Sequence, residues 1–222
     1  MESIVVMDEL TLAQRVVVWI FPVIFAITVH EVAHGWVAKK RGDTTASMLG
    51  RLTLNPIKHI DWIGTILVPA ILVLSFTGFI FGWAKPVPVN DKNFRHPRVD
   101  MALVAIAGPI ANLLMALIWA GIARIGVSVE LEAISLPLIY MGIAGISINL
   151  VLALINLIPI PPLDGSRVLA CLLPPKWAWH FNRIGSLGLI VLLVLLMTDT
   201  LTMVLGYPLY YLQQFFFSVA GM

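Results

Sequence analysis

Two histidines four residues apart, with a glutamate beside the first, form the run His30-Glu31-Val32-Ala33-His34. On a helix, residues i and i+4 share a face, so both imidazoles can reach one metal ion. Zinc suits that donor pair, and Glu31 then lies beside the water that such a site activates, where a general base belongs. The setting sharpens the reading. Residues 16–29, just ahead of the motif, are almost all apolar. Ionisable groups at membrane depth cost about 2.5–3.5 kcal/mol or more each, so they are rare there without a function.

A catalytic zinc usually takes three protein ligands plus water, and this motif supplies two. No glutamate lies between Glu31 and Glu130, and Val37 stands where the longer HExxHxxGxxH pattern needs glycine. The candidate third ligand is Asp164, in the run Asn156-Leu157-Ile158-Pro159-Ile160-Pro161-Pro162-Leu163-Asp164-Gly165. A carboxylate here would arrive at the end of an apolar span, with prolines ending the helix and Gly165 allowing a tight turn. The alternative is an ordinary loop with a turn-forming Asp-Gly pair.

The elements that must position these groups are membrane helices. Of the 222 residues, 59% are hydrophobic and only 12% charged, about half the charge of a soluble domain. Cys171 is the single cysteine, so neither an internal disulfide nor a multi-cysteine metal site is available. The expected fold is an all-α polytopic membrane protein, one domain over 1–222 with a catalytic core at about 16–170. Four segments have the length of full spans: 16–38, 99–123, 135–158 and 184–206. The first follows Glu2, Asp8 and Glu9 rather than a basic start, so it reads as an uncleaved span. Gly121, Gly142 and Gly145 are candidates for close helix packing.

Twelve of the 14 Lys and Arg fall in three stretches, 39–58, 85–98 and 167–183. The positive-inside rule puts these in the cytoplasm, and the active site towards that side. Segment 62–81 is apolar but has a basic stretch at each end. It therefore reads as a re-entrant element broken near Pro69, with a fifth full span as the rival. Only the re-entrant form brings Asp164 to the same face as His34. Residues 82–90, with Pro86 and Pro88 alternating with Val87 and Val89, are a candidate for a short membrane-associated β element whose edge could take a substrate strand, with an ordinary proline-rich connection as the alternative.

HEVAHGWVA together with NLIPIPPLDG resembles the site-2 protease family of intramembrane zinc metalloproteases. Three further stretches, GRLTLNP at 50–56, FGWAKPVPV at 81–89 and AGPIAN at 107–112, resemble a compact prokaryotic branch without PDZ or nucleotide-sensing domains. The resemblance covers about residues 20–170. It implies one zinc ion held by His30, His34 and Asp164, Glu31 as catalytic base, and Asn156 as the motif asparagine that positions substrate. It implies an integral protein of a prokaryotic cell membrane.

The chemistry would be peptide hydrolysis within or near the transmembrane segments of membrane-protein substrates. Asn112 and Asn156 are candidates for oxyanion support, with helix–helix bonding as their structural alternative. His59 is a candidate for a residue that supports the ligands. Trp62, Trp83, Trp177 and Trp179 suit an interfacial belt. The competing reading is a metal-ion transporter or a non-catalytic metal-binding membrane protein. The basic residues are spread over membrane-adjacent loops, which gives no support to nucleic-acid binding. The oligomeric state and the identity of the substrate are not legible in the sequence.

Overall fold

The computed structural model describes residues 10–75, 82–183 and 185–222. The acidic residues Glu2, Asp8 and Glu9, the last six residues of 62–81, and the first residue of 184–206 lie outside the described residues. The described residues form helices α1 (Leu12–Arg41), α2 (Thr45–Met48), α3 (Val68–Leu74), α4 (Pro97–Ser128), α5 (Glu132–Leu157), α6 (Asp164–Leu172), α7 (Pro175–Arg183), α8 (Gly185–Met197) and α9 (Thr200–Ala220). A π-helical turn over Trp62–Leu67 runs into α3.

The first helix shows how local sequence sets these limits. At its start, Thr11 Oγ1 accepts from the Gln14 backbone N–H, and Gln14 Oε1 accepts from the Thr11 N–H, a reciprocal cap. At its end, Gly42 takes φ +116° after Lys39, Lys40 and Arg41. Glycine adopts that conformation without a Cβ penalty, and cations in the last turn favour the negative end of the helix dipole.

Helices α1, α4 and α5 pack together as the bundle that carries the site, with α6 and α9 against α4 and α5. Small residues let α4 and α5 approach closely. A Cβ on Gly145 would sit 2.2 Å from the Trp119 ring, and one on Gly142 would sit 2.5 Å from Ala123 Cβ. Gly121, by contrast, faces open space. Phe216 and Ala220 of α9 close this core against Ala116, Ala120, Ile146 and Leu150. Outward-facing Val17, Phe21, Leu114 and Ile118 remain exposed, a surface that a bilayer covers and water does not.

The structure is thus an all-α polytopic membrane protein. α1, α4 and α5 are long and apolar enough to cross a membrane, and α7 with α8 makes a fourth only if that pair, bent by 68°, counts as one span. The segment read as a full span over 184–206 breaks instead, with Asp199 at φ +54° between α8 and α9. The polar pair explains the break: Thr198 Oγ1 turns back on the Val194 carbonyl at 2.8 Å, and aspartate tolerates a left-handed backbone better than most residues. α9 runs on to Ala220. The tyrosines and glutamines at 207–214 dilute its hydropathy and hide it from a span count.

Gly64 and Thr65, near the start of the apolar segment, lie at one level with Trp83, just beyond its end. The Trp83 N–H donates to Gly64 O at 3.1 Å, and Thr65 Oγ1 donates to Trp83 O at 2.8 Å. Trp62–Leu74 is 13 residues long, about 20 Å of helix against about 30 Å of hydrocarbon. A full fifth span would have put residue 83 at the far end of the bundle. The basic stretches consequently gather at one end: Arg41 Nε lies 3.6 Å from Asp100, Arg51 reaches Lys85 O at 3.1 Å, and Arg98 reaches Cys171 O at 2.9 Å.

Residues 82–90 are not a β element, and the described residues contain no strand. Pro86 and Pro88 lack the N–H that a ladder needs, and the available donors go elsewhere. Lys85 N–H bonds His59 O at 2.9 Å, Val87 N–H bonds Glu31 Oε2 at 2.7 Å, and Asn90 N–H bonds Asp43 Oδ2 at 2.7 Å. This segment is a strap pinned across the end of α1.

Candidate active site

His30 and His34 lie near the end of α1, and Asp164 opens α6. Their Nε2 atoms are 3.0 Å apart, and each is 3.2 Å from Asp164 Oδ2. Both imidazoles are buried. The Pro-rich turn after α5, with a cis Pro161–Pro162 bond, carries Asp164 back onto the bundle. Gly165 acts here through close approach, not by turning the chain. Its φ is not positive, and a Cβ on it would meet Leu157 O at 2.2 Å.

Hydrogen bonds fix which ring nitrogens face inwards. His34 Nδ1 lies 2.7 Å from Val104 O; a carbonyl can only accept, so Nδ1 carries the proton. His30 Nδ1 lies 2.6 Å from Asn112 Oδ1. Asn112 Nδ2 donates to Ala26 O and to Asn149 Oδ1, and Asn149 Nδ2 donates to Gly145 O. Backbone carbonyls therefore anchor the whole relay, and His30 Nδ1 is also the donor. Both Nε2 lone pairs converge with a carboxylate oxygen that has no hydrogen-bond donor.

Three mutually repelling lone pairs in a buried cluster fit a cation. Zinc bonds of about 2.0–2.1 Å in tetrahedral array would separate ligand atoms by about 3.3 Å, close to the spacing here. His30, His34 and Asp164 are the residues that could hold the ion. Outer partners that orient ligand histidines commonly carry 10–100-fold in metal affinity.

On α4, Val104, Gly108 and Asn112 stand at i, i+4 and i+8, opposite His34 and His30. Gly108 makes room for the rings. A Cβ there would lie 2.5 Å from Cε1 of both histidines. Sequence reasoning gave Gly108 no role of its own; its signal was the AGPIAN stretch at 107–112, where it precedes a proline inside an apolar span.

Glu31, Asn156 and Arg167 line the same cavity of about 140 Å³ as the ligand trio, with Pro86, Val87 and Val89 of the strap. Asn156 Nδ2 bonds Leu152 O at 3.0 Å. Asn112 is fully buried with both amide hydrogens committed, which leaves it no donor for a substrate oxygen. His59 is buried with Nε2 2.9 Å from Thr53 O. It holds the strap through its own carbonyl and bonds none of the three ligand side chains.

Asp43, just beyond α1, anchors the far end of the strap. Burial would raise its pKa, but hydrogen bonds from Thr45, Asn90 and Asn93 outweigh that and hold it below the usual carboxylate range. Its contribution is complete above the unfolded value of about 3.9 and is lost as pH falls through the lower folded value. Residues 90–93 are thus expected to stay protected until the pH drops below about 4. Asp43→Ala should open them at pH 7 at a cost of about 1–3 kcal/mol, read as faster amide hydrogen exchange at Asn90.

The model of peptidase family M50 matches residues 18–135. The chain belongs to that family. It is 44% identical over 182 residues to YwhC of Bacillus subtilis, a protein named as a zinc metalloprotease, covering 81% of this chain and 80% of YwhC. It is 28% identical over 195 residues to Rip2 of Mycolicibacterium smegmatis, similarly named, covering 80% of this chain and 66% of Rip2. No solved structure matches the chain. The M50 protein is a zinc metalloprotease embedded in a membrane, as its resemblance to the site-2 proteases implied.

Proposed function

We propose that this M50 protein is an intramembrane endopeptidase that hydrolyses peptide bonds within or beside the transmembrane segments of membrane proteins. One observation carries the reading: Glu31 shares a cavity with three converging ligand atoms, on a helix otherwise suited to span a bilayer. His30, His34 and Asp164 would hold the ion. Bound zinc would polarise the scissile carbonyl and acidify water at the site towards a pKa of about 7.

The chain's own residues do the rest. Glu31 Oε2 accepts the Val87 N–H, which aims the carboxylate and leaves Oε1 to take a proton from water and pass it to the leaving amine. Asn156, on the cavity wall, would position the substrate. A helical substrate hides its carbonyls in its own hydrogen bonds, so it would unwind locally and enter extended beside the strap. The gathered basic stretches support a site towards the cytoplasmic face. The single domain spans 1–222, its catalytic core at about 16–170.

The test is cleavage of single-span membrane proteins by the detergent-purified full chain, with zinc quantified. One zinc per chain, cleavage that stops on chelation and cleavage that returns on adding zinc are expected. Folded, zinc-loaded protein that cuts none of a broad substrate panel would overturn the proposal.

A further inference from the structure

We propose that the Arg167 guanidinium binds the scissile carbonyl oxygen as negative charge develops on it, and then the carboxylate of the product; this rests on the endopeptidase reading above. Arg167 follows Asp164 by three residues on α6, so both lie on one helical face. Arg167 is one of the residues that line the cavity holding His30, His34, Glu31 and Asp164. Arg98 binds the carbonyls of Ala170, Cys171 and Leu173 at the end of α6, which fixes the helix that presents Arg167.

The arginines around it are committed. Arg41 faces Asp100, Arg51 bonds the Lys85 and Pro86 carbonyls, and Arg98 caps α6. Among the described residues Arg167 hydrogen-bonds only Met101 Sδ, at 3.6 Å, and a thioether is a weak acceptor. Among the described residues no carboxylate pairs with it. Glu31 is engaged by the Val87 N–H, and Asp164 faces the histidines. Arg167 thus lines the reaction cavity with no carboxylate paired to it among the described residues, and its planar fork of donors matches a carboxylate.

Hydrolysis supplies one. The oxygen of water bonds to the carbonyl carbon, and the C–N bond breaks. One water proton passes through Glu31 to the amine nitrogen, the second passes to the freed amine as the new carboxylic acid ionises, and the products are a carboxylate and an ammonium group. Negative charge builds on an oxygen beside Glu31 and the ligand trio, in the cavity that Arg167 lines.

The test compares wild type, Arg167→Ala and Arg167→Lys, full-length and zinc-loaded, on a single-span substrate. Arg167→Ala is expected to lower kcat by about 10²–10³-fold, the usual loss on removing one oxyanion donor. KM and zinc content should be unchanged, Arg167→Lys should recover part of the rate, and added guanidinium ion should restore part of the Ala variant's. Independently of turnover, a peptide ending in a free carboxylate should bind wild type about tenfold or more tighter than its amide, and Arg167→Ala should erase the difference. A rise in KM alone, confined to substrates with acidic side chains, would overturn the assignment to the carbonyl. An unchanged carboxylate preference would overturn it altogether. Because the peptide pair needs no cleavage, a wild type that cuts nothing would sink the protease reading while the pair still judges Arg167.

Discussion

Glutamine in place of Glu31 is expected to lower cleavage by about 10²–10⁴-fold, the range of a lost general base, while the protein keeps its zinc. The structure makes this substitution unusually clean. Glu31 is not among the three converging ligand atoms, and its Oε2 accepts the Val87 N–H. A glutamine carbonyl can accept that same bond, so the strap keeps its anchor and the cavity keeps its wall. Only the capacity to take and return a proton is lost. Zinc per chain, the melting midpoint and hydrogen exchange at Val87 should match wild type, and turnover should not. Full activity in Glu31→Gln would remove Glu31 from the chemistry. Loss of zinc would mean that the carboxylate helps hold the ion. A protein whose work was metal transport would keep most of its flux.

The sequence made the chemistry legible because its residues break a strong pattern. His30, Glu31, His34 and Asp164 are polar groups at the ends of apolar runs, and an apolar run offers no bland reason for them. Charge counting did the same for 62–81: basic stretches on both flanks required entry and exit on one side, and the Trp83–Gly64 bond has that consequence. What stayed hidden depends on three-dimensional partners. The strap looked like a strand because its side chains alternate, but its donors are spent on Glu31, His59 and Asp43, which are distant in sequence. Asn112 was open between oxyanion support and helix–helix bonding, and Asn149, which accepts its amide, carried no signal beyond a polar residue in a span. Their place behind His30 emerges only when α1, α4 and α5 are brought together. The break at Asp199 and the length of α9 were lost because hydropathy windows average over a single polar pair and over tyrosines that tolerate both lipid and its interface.

Gly108→Ala should cost this protein its metal although Gly108 has no side chain to donate. Alanine inside a helix ordinarily gains about 0.5–1 kcal/mol over glycine. Gly121, on the same helix with nothing within 4 Å of where a Cβ would stand, should show that ordinary gain and serves as the control. At Gly108 the methyl would lie 2.5 Å from Cε1 of His30 and of His34, and 2.6 Å from His30 Nε2, well inside contact distance. Two outcomes are open to the bundle, and both damage the site. The rings can swing away, which separates Nε2 of each from Asp164. Alternatively α4 can retreat from α1, which stretches the bonds from His34 to Val104 and from His30 to Asn112, one turn to either side. Either way the orienting partners of the ligands are disturbed, and zinc affinity should fall by about 10–100-fold or more. Competition with a chelator of known affinity reads this directly, and the melting midpoint of the zinc-free protein separates it from general destabilisation. Wild-type zinc affinity in Gly108→Ala would show that the rings sit farther from α4 than the structure has them. The converging geometry, and the metal site built on it, would then need to be redrawn.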